Sequence, residues 1–404
     1  MNQNKSNGFP VSKVDFTGQG SHMNDEDSPN ALHIPQKRQQ GIDVIKTIAM
    51  FMVLTLHILS HGEVFSACKP GSSTLASAAL LESVAIVAVN LFVLASGYLG
   101  YGSAHRLSKV IELWFQILFW SICFGILFNS LHLIPRDEIS FKQLLFPVLN
   151  NQNWYICTYF ALLPFMPVLD KAVLSMTSRQ SFDFVLFGTI LLSVFSFLAP
   201  VDSFGVNRGY SLVWFMFLYL VGAMIRANET TLCAHSKTSR FALMGAYAAS
   251  QITTFLLLAN EAYASPSGAL GSRVLHYNAP AVFIAALALF MLLIRFKIKN
   301  TTTAKSLATV NTTLLDVYLI HEHPLVRSVF ITGRFSWLAQ YGPIGLPALV
   351  ILTVAMVFSI CITLGYLRHR CFNAIGIRNI TNKVEQLIMR ATGKLLSLIE
   401  KTFE

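Results

Sequence analysis

The amino-acid sequence predicts an all-α fold: a polytopic membrane bundle of about ten transmembrane helices with both termini cytoplasmic. Composition is the first reason, since 54% of the 404 residues are hydrophobic and only 12% are charged, about half the charged share of a soluble domain. The second is block length. The apolar residues gather in runs of about 20, enough for a helix to cross roughly 30 Å of hydrocarbon. The third is charge placement, because Lys and Arg accumulate in cytoplasmic loops. With ten spans assigned, and Arg226, Arg240 and Arg295 at span ends counted with the loops beside them, 22 of the 30 Lys and Arg residues fall in the tails and alternate loops and six in the opposite loops. The formal net charge of +10 follows from that topology and requires no nucleic acid. Its excess is free to meet anionic lipid headgroups.

Residues 1–40 are polar, rich in Asn, Ser, Gly and Gln, and are expected to be a disordered cytoplasmic tail without the apolar core and small-residue cleavage site of a signal peptide. The ten-helix domain is predicted over residues 41–370. Its spans are 43–61, 79–101, 110–131, 153–170, 182–200, 210–226, 240–260, 276–296, 311–332 and 343–367. Beyond it, residues 371–404 carry Ile377, Ile380, Val384, Leu387, Ile388, Leu395, Ile399 and Phe403 at helical spacing, with Lys383, Arg390, Lys394 and Lys401 between them. They predict an amphipathic helix, lying either on the cytoplasmic leaflet or against the bundle. Of the six cysteines only Cys68 falls on the outer side, so no disulfide framework is expected. The two halves show no repeat.

Chemistry is sought where polar side chains enter the membrane, since each ionisable group there costs at least ~2.5 kcal/mol. The stretch LTLHILSHG puts His57 and His61 four residues apart near the end of the first span. Lys46 lies 11 residues before His57, about three turns, so the two point the same way roughly 16 Å apart along the axis. His57 can be a hydrogen-bonded core residue, a proton carrier or half of a metal site. Metal sites need a third or fourth ligand, and no carboxylate or Cys is near these two in sequence, so no metal is predicted.

The second span ends in LFVLASGYL, followed by SAHRLSK. Ser96 and Gly97 permit close backbone approach, while Arg106 and Lys109 join Lys46 in a cationic mouth suited to phosphate. NNQNWYICTYF opens the fourth span. In the ninth, DVYLIHEHPLVR carries Asp316, His321, Glu322, His323 and Arg327. Helical phase groups Asp316, His323 and Arg327 on one face, although Pro324 can bend the helix.

Taken in order, KTIAMFMVLTLH, LFVLASGYL, the Arg106 and Lys109 pair, NWYICTYFALLPFMPVL and VYLIH resemble the motifs of the acyltransferase 3 family of integral-membrane O-acyltransferases. Two positions depart from the family pattern: Lys46 stands for the commoner Arg, and Lys109 for the second Arg of an RxxR motif. The resemblance covers residues 40–370 and is to the stand-alone type. It implies a multi-pass enzyme of the bacterial cytoplasmic membrane that moves an acyl group, acetyl by family frequency, from cytoplasmic acyl-CoA to a hydroxyl of a cell-surface polysaccharide or lipid-linked glycan. No cofactor would be bound permanently. Acyl-CoA, the glycan, membrane lipids and polysaccharide-biosynthesis proteins would be its partners. Lys46, Ser96, Gly97, Arg106 and Lys109 would bind the coenzyme, and His57 and His321 would be catalytic, His321 matching the family's late histidine where phase favours His323. His57 would act as general base or as an acyl-accepting nucleophile. A transporter or flippase for a sugar or lipid-linked substrate is the alternative, against which the missing repeats count.

Overall fold

The computed structural model describes residues 38–133, 141–148, 153–232, 237–264 and 273–403. The expected disordered tail, up to residue 37, lies outside the described residues. Described residues in regular structure are helical, with no strand among them.

Helix α1 (Gln40–Ser60) is the central element. It buries Ile42, Ile45, Ala49, Leu54, Ile58 and Leu59, while the Thr47 and Thr55 hydroxyls return to the Asp43 and Phe51 carbonyls, 2.9 Å each, so neither is stranded in an apolar setting. After the short α2 (Val64–Ala67), Ser72 caps α3 (Ser73–Ala85), its side chain accepting from the Leu75 N–H. Helix α3 continues into α4 (Ala88–Gly100) as one apolar span. Next come α5 (Leu107–Ser130) and α6 (Phe141–Leu145). The fourth predicted span is a pair, α7 (Trp154–Leu162) and α8 (Met166–Ser175), bent by 55° where Pro164 interrupts the helix. Helix α9 (Ser178–Gly188) starts in a Thr177–Gln180 capping box and runs through a π-helical turn into α10 (Ser196–Leu198). Its exposed face carries Phe182, Phe187, Leu191, Phe195 and Leu198, an apolar surface of the kind that marks a membrane contact.

Helix α11 (Leu212–Ala227) crosses α4 at close range. A Cβ on Gly97 would lie 2.0 Å from the Tyr219 carbonyl oxygen, and one on Gly222 would lie 2.2 Å from that of Leu94. The Asn90 side chain fixes the same junction, donating to the Tyr277 carbonyl at 2.8 Å and accepting from the Trp214 indole at 3.1 Å. Gly97→Ala is therefore expected to destabilise the protein by about 1–3 kcal/mol through overpacking. A thermal scan in detergent checks this; an unmoved unfolding midpoint would show that the helices part freely.

The remaining helices are α12 (Glu229–Leu232), α13 (Lys237–Ala264), α14 (Pro280–Leu293), α15 (Thr301–Thr312), α16 (Leu314–His321), α17 (Pro324–Val326), α18 (Gly342–Ile375) and α19 (Ile377–Phe403). Seven described helices are long and apolar enough to cross a membrane, or eight with the bent pair counted as one span. The count of ten is thus not reproduced, for two physical reasons. Helix α11, predicted as span six, has only 16 residues. The ninth predicted span, 311–332, is not continuous. Its residues are divided between α15, α16, α17 and a π turn, Arg327–Ile331: the chain breaks first at Thr313 and again after His321, where Pro324 has no N–H to donate and its ring clashes with the preceding turn. Glu322 caps α16, and His323 caps α17 in an extended conformation, its ring accepting from the Leu325 N–H. The expected stripe of Asp316, His323 and Arg327 is broken with it.

Helix α19 packs along the start of α5. Glu385 accepts the Ser108 backbone N–H at 3.2 Å, placing a carboxylate at a helix N-terminus. That hydrogen bond holds its carboxyl below the ordinary range.

Candidate functional site

The break at Pro324 aims the end of α16 at α1. His57 Nδ1 lies 2.9 Å from His321 Nε2 and 3.1 Å from Glu322 Oε2. His321 Nδ1 faces the Val317 carbonyl, which can only accept, so this nitrogen carries a proton. The neutral His321 ring then offers a lone pair at Nε2. His57 must donate its Nδ1 proton to meet it, which leaves His57 Nε2 as the unprotonated atom. Arg327 pairs with Glu322 Oε1 and fixes the carboxylate from behind. The result is a base oriented by an imidazole and a carboxylate, the arrangement in which a second partner sets the tautomer of the working histidine.

His57 also lines a cavity of about 470 Å³. Lys46 lines the same cavity from α1, Ser96 from α4, and Arg106 and Lys109 from the start of α5. Trp154, Tyr155 and Tyr159 of α7, together with Tyr277, Asn311 and Tyr318, complete much of the wall. Among these side chains the Ser96 hydroxyl donates to the Phe92 carbonyl at 2.9 Å, and the Asn311 amide to the Asp43 carbonyl at 3.1 Å.

Of the residues expected to bind coenzyme, four line this space: Lys46, Ser96, Arg106 and Lys109. Gly97 does not. Its bare Cα is taken up by the contact with Tyr219, so its smallness serves helix packing. His321 meets His57, whereas His323 is turned away against Phe124, with ring centroids 5.1 Å apart. Asp316 is also withdrawn, bonded to Arg368, Trp120 and Gln116.

Three residues with a place here escaped the sequence reading. Glu322 was visible only as one more charge in a crowded span. Tyr318 stood inside the VYLIH segment without being singled out. His105, in the same short segment as Arg106, lines the cavity and pairs with Asp170 of α8 at 2.7 Å, a carboxylate that also accepts from the Tyr219 hydroxyl at 2.9 Å. No spacing rule connects residues 65 positions apart.

Donor atoms of His57, His61 and Glu322 lie within 4.8 Å of one another, so the third ligand that the sequence lacked is supplied in space. These three can hold a divalent ion. The hydrogen bond to His321 and the Arg327 pairing already engage His57 Nδ1 and Glu322, and both contacts serve a proton-transfer site directly.

The family model for an acyltransferase domain, of the acyltransferase 3 type, matches residues 39–367. No curated protein and no solved structure matches the chain. The matched region contains α1, the cavity wall and the His57–His321 pair, and on that match the chain belongs to the acyltransferase 3 family and is a membrane acyltransferase.

Proposed function

We propose that the protein O-acylates a cell-surface polysaccharide or a lipid-linked glycan with an acyl group, acetyl by default, drawn from cytoplasmic acyl-CoA. The observation that carries this reading is one cavity lined both by His57 and by the cations Lys46, Arg106 and Lys109. Such a space suits a long donor with phosphates at one end and a thioester at the other. The cations would hold the phosphates through charge-assisted hydrogen bonds, and the pantetheine arm would pass Ser96. His57 Nε2 would take the proton of the acceptor hydroxyl as that oxygen attacks the thioester carbon. The carbon–sulfur bond then breaks, and the proton passes to the departing thiolate. The excess of Lys and Arg in the tails and alternate loops supports cytoplasmic termini, and a bacterial plasma membrane is what the family resemblance implies.

Membranes carrying the protein, given radiolabelled acetyl-CoA and cell-surface glycan, should incorporate label into the glycan. Movement of glycan across the membrane without labelling would favour a carrier and reject this reading. Arg106→Ala and Lys109→Ala should each raise KM for acyl-CoA on the order of tenfold, the scale of a hydrogen bond to a charged group. Saturating donor should restore most of kcat. Unchanged KM in both variants would remove the phosphate from that mouth.

A further inference from the structure

We propose that Tyr318 is a catalytic residue whose hydroxyl binds the thioester oxygen as it becomes an oxyanion. This rests on the acyl-CoA reading above and adds an electrophilic partner to the base. Tyr318 belongs to α16, one turn before His321, and is only 6% exposed. It lines the cavity that His57 lines. Its ring centroid is 6.5 Å from that of His57 and 5.9 Å from that of His321, which it meets edge-on. On its other side Tyr155 of α7 packs at 5.7 Å.

The Tyr318 hydroxyl is buried and has no hydrogen-bond partner among the described residues. A buried hydroxyl without a partner is costly and calls for an explanation. On the same helix the His321 ring is engaged at both nitrogens; on the cavity wall the Ser96 hydroxyl returns to its own helix, whereas Asn311 Oδ1, like the Tyr318 hydroxyl, has no partner among the described residues. Tyr318 thus carries an uncommitted proton on a side chain that lines the same cavity as His57. A carbonyl oxygen set there would supply the acceptor that the protein withholds, and catalytic hydrogen bonds commonly close only in the loaded complex.

The step balances without further reagents. The acceptor hydroxyl loses its proton to His57 Nε2 and forms a carbon–oxygen bond, while the carbonyl electron pair moves onto oxygen, where the Tyr318 O–H holds it. Collapse restores the carbonyl, breaks the carbon–sulfur bond and lets the thiolate recover the proton from His57. An acyl-histidine route passes through the same kind of oxyanion, so the role of Tyr318 does not depend on that choice.

Tyr318→Phe deletes one oxygen and keeps the ring. We expect kcat for acetyl transfer from acetyl-CoA to glycan to fall on the order of 10²–10³-fold, as for loss of one oxyanion donor. KM for acetyl-CoA should stay within about twofold, because the contact strengthens only in the transition state. The thermal midpoint in detergent should hold or rise, since an unsatisfied polar group has been removed. If the wild type transfers acetyl and Tyr318→Phe matches it within a few-fold, the proposal is overturned and the acyl-CoA reading stands. A fall in kcat accompanied by a lower thermal midpoint would assign Tyr318 to packing and overturn it equally. A wild type that transfers nothing removes the acyl-CoA reading and this proposal together.

Discussion

Replacing His57 with alanine is expected to lower kcat for acyl transfer by about 10³-fold or more, with the protein still folded. General-base catalysis alone contributes about 10²–10⁴-fold, and at this site the same ring also orders its neighbours. Its Nδ1 meets both His321 and Glu322, so truncation removes the base and the group that those two orient. The stability cost should be small. His57 faces a cavity, where water can replace it, and a single neutral hydrogen bond contributes only about 1 kcal/mol. Labelled glycan formed at saturating acetyl-CoA, measured beside a thermal scan, separates the two effects.

His61→Ala is the control. Its ring lies 5.1 Å from that of His57 and its Nε2 is 3.8 Å from Glu322 Oε2, too long for a hydrogen bond. Its loss should therefore cost on the order of a few-fold at most, the effect of a neighbouring charge rather than of a proton carrier. Wild-type turnover in His57→Ala would reject the base. Equal large losses in both variants would instead favour a metal held by His57, His61 and Glu322.

Part of this site was legible because helix geometry is local. Lys46 and His57 sit on one helix, so their spacing fixed their common direction, and both line one cavity. The Arg106 and Lys109 pair, one turn apart at the start of α5, was legible for the same reason. What failed was any inference that assumed an unbroken helix. Phase put His323 and Arg327 with Asp316. In the fold, Pro324 resets the chain direction at His323, leaving His321 on the inward face of α16 and sending His323 to Phe124. Gly97 shows a different limit. A small residue beside a site has the same sequence signature whether a ligand or a helix approaches it, and here the neighbour is the Tyr219 carbonyl. His105–Asp170 and Glu322–His57 were invisible because they join distant segments, and only packing sets such distances.

The second large effect concerns Asp316, which the broken ninth span frees from the stripe assigned to it. Its side chain is fully buried, at 0% exposure. Oδ1 accepts from Gln116 at 2.8 Å, from the Trp120 indole at 2.7 Å and from Arg368 Nε at 2.7 Å, while Oδ2 accepts from Arg368 Nη2 at 3.0 Å. One carboxylate therefore ties α16 to α5 and to α18. Gly365 makes the approach possible, since a Cβ there would stand 2.8 Å from the Asp316 Cβ. Arg368 also lies 4.7 Å over the Phe372 ring. Asp316→Ala should cost about 3–5 kcal/mol, because it strands a buried guanidinium whose charge then has no counterpart. Activity should fall as well, since α16 carries His321 and Tyr318 to the cavity. The double variant Asp316→Leu with Arg368→Met should recover most of the stability, as replacing a whole buried pair by apolar side chains is often neutral or better. If the alanine variant unfolds at the wild-type temperature in detergent, the pair does not hold these helices together. If the double variant is no more stable than Asp316→Ala, the loss comes from the Gln116 and Trp120 contacts and not from the uncompensated charge.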